Sequence, residues 1–358
     1  MEIINFIGRK LDKPNEMWRD FRRQIEIDKY LKKRYDVKLK YEYYIRPKNI
    51  IDYISKRYFL YPYYSHLHTK NSKKNTVFQI HFQFLADLAL FLDIRKTIIT
   101  CHDIFNFLQK KELKNPIITQ KYAILGLKKC RFIIAISKFT KNELAYKLNI
   151  PKDKIIVIKS AVNQEMFRPI SENEISMIKP LYPDYKKLIY VGNESLRKNF
   201  ITLLKAFYII KKKYKKIKLI RVGAPRYSRF ISNLGLEKDI IYLENISNER
   251  LREIHNLCDY YVFPSLYEGF GFPGLEAASC GTPVICSDIP VLREIFKDFP
   301  FYFPPKDYKT LAKIIIENIN NEDLKKDMSN KGLNVVKNYS WKKSAEQYYK
   351  IVKKISED

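Results

Sequence analysis

The chain has no long uninterrupted apolar run. Its best stretch, residues 80–94, is broken by His81, Gln83, Asp87 and Asp93, short of the roughly 20 apolar residues that a membrane-crossing helix needs. A secretory leader is not expected either, because MEIINFIGRKLDK places Glu2 first and offers no small-residue cleavage site. Cysteine is scarce. Cys101, Cys130, Cys258, Cys280 and Cys286 are odd in number and contain no C-x-x-C, which argues against a zinc site and for a reduced, cytoplasmic setting. No helix-turn-helix, zinc-finger or RNP pattern is recognisable, so nucleic acid is disfavoured as a partner.

Acidic residues are also short: 39 Asp and Glu stand against 67 Lys and Arg, for a net charge of +28. The excess is uneven. Residues 1–170 carry 35 basic and 16 acidic side chains, whereas residues 171–358 carry 32 and 23. Such a surface attracts the phosphates of anionic lipid, nucleic acid or an acidic acceptor. The abundance of Lys, Ile, Asn and Tyr is equally what AT-rich coding produces, and both readings stay open. The basic first half, with Trp18, Phe21 and many tyrosines, suits peripheral contact with an anionic membrane.

What is present is an α/β pattern long enough for two domains. Apolar β-rich runs at 3–7, 37–41, 77–80, 97–100, 132–136 and 154–158 alternate with helical stretches. One helix is expected from Trp18 to Tyr35, burying Trp18, Phe21, Ile25 and Tyr30. Another is expected to open at Thr140, with Glu143 completing a capping box. HLHTKNSKKN (66–75) reads as an exposed loop. The alternation restarts with strands at 188–191, 218–222, 240–243, 260–263 and 283–286, Asn199 capping a helix that runs to about Tyr214. The polar stretch with Pro169, Pro180 and Pro183 separates the halves. The expected domains are 1–168 and 187–338, joined by a linker at 169–186, with a last helix at 339–358 that returns to the first domain.

The chemistry gathers in FPSLYEGFGFPGLEAASCGTPVICSD, residues 263–288. A strand ends near Phe263, a loop follows, and a helix is expected to begin near Gly274. Gly269 and Gly271 let backbone N–H groups approach a ligand, and the helix adds unpaired donors and the positive end of its dipole. That combination suits a diphosphate. Glu268 and Glu276 flank it, and as acids beside a phosphate site they suit sugar and ribose hydroxyls. In YVGNESLRKNF (190–200), Arg197 and Lys198 sit together at a helix start, where two cations call for an anion between them.

The 263–288 segment resembles the E-x7-E signature of the retaining family-4 glycosyltransferases. That resemblance implies an α/β GT-B fold, two Rossmann-like domains facing a central cleft, and transfer of a sugar from a nucleotide-diphosphate donor with retention at the anomeric carbon. It implies that Glu268 contacts the transferred sugar and Glu276 the donor ribose, while backbone around Gly269, Phe270, Gly271, Phe272, Gly274 and Leu275 holds sugar and phosphate. Arg197 and Lys198 would neutralise the departing diphosphate, and Gly192 and Asn193 at the preceding strand end would bind the donor, with Asn193 standing where an arginine is usual. Thr100-Cys101-His102-Asp103 resembles the family's T-x-H-D element and places His102 near the donor sugar, with His81 a weaker candidate. IVIKSAVNQEMFRP (156–169) matches the family's hinge in part, with Ala161 and Asn163 where glycine and aspartate are usual. The glycine-rich loop common after the first strand is reduced here to Gly8. No D-x-D occurs, so the cations are expected to replace a bridging metal, and no cofactor is expected. The acceptor, a sugar, a lipid-linked molecule or a protein, is not legible. A basic nucleic-acid-binding protein on a degenerate scaffold, a sugar-nucleotide epimerase and a phosphorylase stay open as alternatives.

Overall fold

A computed structural model describes residues 1–7, 19–43, 61–108, 117–171, 173–174, 182–193, 195–224 and 227–358, with the single residues 55 and 59. The chain divides into two compact units, residues 1–160 with 341–358, and residues 161–340.

The first unit carries β1 (Glu2–Ile7), α1 (Arg19–Arg34), β2 (Lys38–Tyr43), α2 (Tyr61–Lys70), β3 (Thr76–Ile80), β4 (Thr97–Cys101), α3 (Phe105–Leu108), α4 (Ile117–Lys129), β5 (Phe132–Ala135), α5 (Lys138–Leu148) and β6 (Ile155–Val157). A 3₁₀ helix, Gln83–Phe91, lies between β3 and β4. The strands form one parallel sheet in the order β2-β1-β3-β4-β5-β6. Strands such as EIINFI and TIITC are buried along their whole length, as expected of a parallel sheet covered on both faces. The order reverses between β1 and β3, and such a switch point opens a crevice at the carboxyl ends of the strands.

The second unit carries β7 (Lys186–Val191), α6 (Phe200–Lys213), β8 (Ile217–Val222), α7 (Ser228–Asn233), β9 (Ile240–Leu243), α8 (Asn248–Leu257), β10 (Tyr260–Phe263), α9 (Phe272–Ser279), β11 (Val284–Ser287), α10 (Pro290–Phe296), β12 (Phe301–Phe303), α11 (Tyr308–Asn318) and α12 (Glu322–Val336). Its parallel sheet runs β12-β11-β10-β7-β8-β9. Its core joins Tyr190, Phe207, Leu219, Tyr260 and Ile285 to Leu311 and Ile315. Here the switch point lies between β7 and β10, the two strands that lead into the segments carrying the chemistry. Both units are therefore Rossmann-like.

The last helix, α13 (Trp341–Glu357), groups with the first unit. Tyr349 stacks on Tyr35 with centroids 3.6 Å apart, and Ser344 Oγ donates to the Lys159 carbonyl at 2.7 Å. Its buried stripe includes Trp341, Ala345, Tyr348, Val352 and Ile355.

Several local expectations are corrected. Helix α1 buries Gln24, Ile27, Asp28 and Leu31, while Tyr30 is exposed. The stripe is partly polar because Asp28 accepts from Gln24 Nε2 and Tyr41 Oη, each at 2.6 Å. Trp18 and the side chain of Phe21 lie outside the described residues. The cap of α5 is Ser137, which accepts from the Thr140 N–H at 3.0 Å, so Thr140 lies inside the first turn and not ahead of it. Residues 66–70 close α2 instead of forming a loop. Helix α9 begins at Phe272, two residues before the expected start. Strand β12 had no counterpart in the sequence reading, because FYF is too short to show a period.

Candidate active site

At the second unit's switch point, two loops meet. The loop after β7 makes a 3₁₀ turn, Leu196–Lys198, that ends on Asn199 in the left-handed conformation (φ 53°). Asn199 stands at the start of α6 yet makes no side-chain cap. Its Nδ2 instead donates to the carbonyls of Pro264 (2.9 Å) and Pro305 (2.6 Å), and its Oδ1 accepts from Thr202 Oγ1 at 2.8 Å. The amide is thus spent on clamping the two loops together. The Leu266 N–H adds a bond to the Arg197 carbonyl at 2.8 Å.

This clamp brings Arg197, Lys198 and Glu268 together. Lys198 Nζ donates to Glu268 Oε1 at 2.5 Å, and Arg197 Nη1 donates to Glu268 Oε2 at 3.2 Å and to the Tyr267 carbonyl at 2.9 Å. Ser265 Oγ donates to Glu268 Oε1 at 2.7 Å. Burial alone would push the Glu268 carboxyl up. The charges of Lys198 and Arg197 outweigh it, with hydrogen bonds from Lys198 and Ser265, and hold the group down at about 2. The anion between the two cations is therefore Glu268 itself. Two cations and one anion leave one positive charge in a largely buried cluster, where the local dielectric screens it little.

Gly271 opens α9 with φ 111°, a backbone that side chains rarely adopt. Gly274 serves packing: a Cβ there would lie 2.6 Å from Phe296 Cζ and 3.1 Å from Phe263 Cδ1. Phe270 and Leu275 are buried, with the Phe270 ring edge-on to Tyr339 at 5.7 Å, so these two positions can offer a ligand only backbone. Gly269 is buried, whereas Phe272 and Glu276 are half-buried, Glu276 one turn into α9. Gly192 donates its N–H to the Val222 carbonyl at 3.2 Å. Asn193 is exposed at the tip, its carbonyl accepting from Tyr190 Oη at 2.8 Å.

His102 belongs to the first unit. It follows β4, buried, with Nε2 3.1 Å from the His81 carbonyl and its N–H on Gln83 Oε1 at 3.2 Å. A carbonyl only accepts, so Nε2 carries the proton. His81 Nε2 lies 2.7 Å from Asn5 Oδ1 across the β1–β3 switch point. Burial, then the charge of Arg23, holds the His81 imidazole neutral. Sequence reasoning gave no role to Ser265 or to the Asn199 clamp. The Ser-x-x-Glu spacing of Ser265 and Glu268 was the available signal for the first. Among the described residues no group of three or more His, Cys, Asp or Glu is placed to hold a metal ion. All five cysteines are buried and unpaired with one another. Among the described residues, no helix is long and apolar enough to cross a membrane.

Two family models match this chain: Glycosyltransferase Family 4 over residues 34–165 and Glycosyl transferases group 1 over residues 171–335. The chain belongs to the family-4 glycosyltransferases, with the GT-B fold. It is 27% identical to the O-antigen chain mannosyltransferase B of Escherichia coli over 242 residues, 62% of this chain and 60% of that one. It is 28% identical to the serotype-specific mannosyltransferase WbdA of Escherichia coli over 265 residues, 70% of this chain. The matched stretch spans 60% of the first relative's length and 32% of the second's. In three dimensions it is similar to Anabaena HepE solved with UDP-glucose: 16% identical, TM-score 0.77, with 98% of each chain covered.

Proposed function

We propose that this protein is a retaining glycosyltransferase, moving a hexosyl group from a GDP- or UDP-linked sugar to a sugar, lipid-linked or protein acceptor without a bridging metal. The observation that carries the reading is Glu268, buried yet held ionised by Lys198 and Arg197 at the β7–β10 switch point. Mannosyltransferases among the relatives, and a similar fold that holds UDP-glucose, support a nucleotide-linked hexose as donor.

In this reading the diphosphate lies against Arg197, Lys198 and the backbone that opens α9. The acceptor hydroxyl oxygen bonds to the anomeric carbon as the bond from that carbon to the diphosphate oxygen breaks; the electron pair of the broken bond leaves with the diphosphate, which takes up the acceptor's proton. The cations are already in place as that charge develops, so they stabilise it without reorganising. Arg197, the more exposed of the two, turns from the Tyr267 carbonyl toward phosphate oxygens in this reading, while Lys198 stays under Glu268. Glu268 presents acceptor oxygens to sugar hydroxyls, and Glu276 does so for the ribose. The side-chain cations supply the charge a metal would otherwise bring. The basic first unit extends the reading to peripheral contact with anionic membrane, which sedimentation with anionic vesicles at low salt checks.

The test is a thermal-shift panel of UDP, GDP, ADP and their sugar conjugates on wild type and Glu276→Ala. One nucleotide family should raise the melting temperature of wild type by mass action, and Glu276→Ala should lose much of that shift. Absence of any shift at millimolar nucleotide would sink the donor-site assignment.

A further inference from the structure

We infer that the first unit holds a second oxyanion site, built on the buried Arg23 and fitted to a phosphate group. The transferase reading adds only who brings that phosphate, namely the acceptor; the site itself stands on the first unit's own residues.

Arg23 lies on the inner face of α1 and is 1% exposed. Among the described residues no carboxylate lies within ion-pair distance of it. Its hydrogen bonding consists of one long contact, Nη2 to the Ile158 carbonyl at 3.5 Å, and Nε has no partner. Asp28, one turn along α1, is occupied by Gln24 and Tyr41. Burial therefore drags the guanidinium down to about 10, with only the phenol of Tyr348 acting the other way. A buried charge in this condition costs stability unless something pairs with it.

The Tyr348 hydroxyl beside it is a surplus donor. Tyr348 Oη on α13 is fully buried without a hydrogen-bond partner, and so is Ser160 Oγ, two residues beyond Ile158. His81, which feels the Arg23 charge, has its Nε2 engaged by Asn5. A guanidinium and the Tyr348 hydroxyl, both with unused donor capacity and brought together from α1 and α13, match the needs of phosphate oxygens. Their place fits as well: His81 and Ile158 both follow the carboxyl ends of parallel strands, the rim where such sheets take ligands. A planar fork suits a phosphate better than a point charge would. Keeping an unpaired guanidinium in a core is the kind of stability sacrifice that accompanies function.

The experiment uses the full chain in thermal melts, comparing inorganic phosphate with chloride at matched ionic strength. The variants are Arg23→Met, Arg23→Lys and, as a control on the donor site, Lys198→Met. In chloride, Arg23→Met should melt at or above wild type. Phosphate at about ten times its Kd should raise the melting temperature of wild type and Lys198→Met by about 3 °C, and that of Arg23→Met not at all. Arg23→Lys, which keeps the charge and loses the fork, should retain less than half of the shift. An equal shift in Arg23→Met overturns the site. So does no shift in wild type, which would leave the spare donors to buried water alone. A melting point for Arg23→Met far below wild type in chloride also overturns it, because the guanidinium would then be satisfied within the fold. A shift that survives Arg23→Met and vanishes in Lys198→Met would place phosphate at the donor site only, leaving the transferase reading standing and this one refuted.

Discussion

Replacing Lys198 with Met removes the closest partner of Glu268 and leaves that carboxylate buried with Arg197 and Ser265. The group sits at about 2 in the folded protein against an ordinary 4.5, a gap worth about 3 kcal/mol at neutral pH. Because the folded value is the lower one, this stabilisation is whole above about 4.5 and disappears as the pH falls toward 2. In Lys198→Met the balance tips toward burial, and the folded value rises. The variant should lose about 3 kcal/mol at pH 7, in line with losses seen when one partner of a buried pair is removed. For a unit spanning residues 161–340, that is a fall of about 6–12 °C in melting temperature. The deficit should shrink on acidification, since the variant's carboxyl takes up a proton before the wild type's does. It should also shrink to under about 1 kcal/mol in a Glu268→Gln background, where no buried anion is left uncompensated. Melts at pH 7, 5 and 4 on all four proteins check this. A deficit that is the same at pH 7 and pH 4, or unchanged by Glu268→Gln, would refute the ion pair as the source of stability.

Three further outcomes follow from the packing. Gly274→Ala forces a methyl to 2.6 Å from Phe296 and should cost about 1–3 kcal/mol by overpacking, read as a lower melting temperature. Ser137→Ala should cost about 1 kcal/mol as a lost helix cap, while Glu143→Gln should change stability by less than about 0.5 kcal/mol, in the same denaturation assay. His255 is fully buried with neither ring nitrogen hydrogen-bonded, and burial drops it to about 3 from 6.5. The unfolded chain therefore binds the extra proton, and stability falls as the pH drops below about 6.5. At pH 5 this amounts to about 2 kcal/mol, and His255→Phe should remove that part of the pH dependence in parallel melts.

The alternation of apolar runs and helical stretches determined by itself that the chain is α/β and double, because a strand buried on both faces must be a continuous apolar run. E-x7-E and the Arg197-Lys198 pair also stood in the sequence, since these glycines, acids and cations are confined to short segments after strand ends. Tertiary structure alone decided the rest. That Glu268 is the anion between the two cations depends on an Asn199 amide spanning two loops more than 60 residues apart. That Phe270 and Leu275 face the core depends on Tyr339 and the α9 packing. The polar stripe of α1 looked solvent-facing because the partners that satisfy Asp28 and enclose Arg23 come from β2 and from α13, at the far end of the chain. Local periodicity reports which faces are apolar. It carries no record of which distant group waits to pair with a buried charge, and that pairing is settled only when strand order and packing bring the groups together.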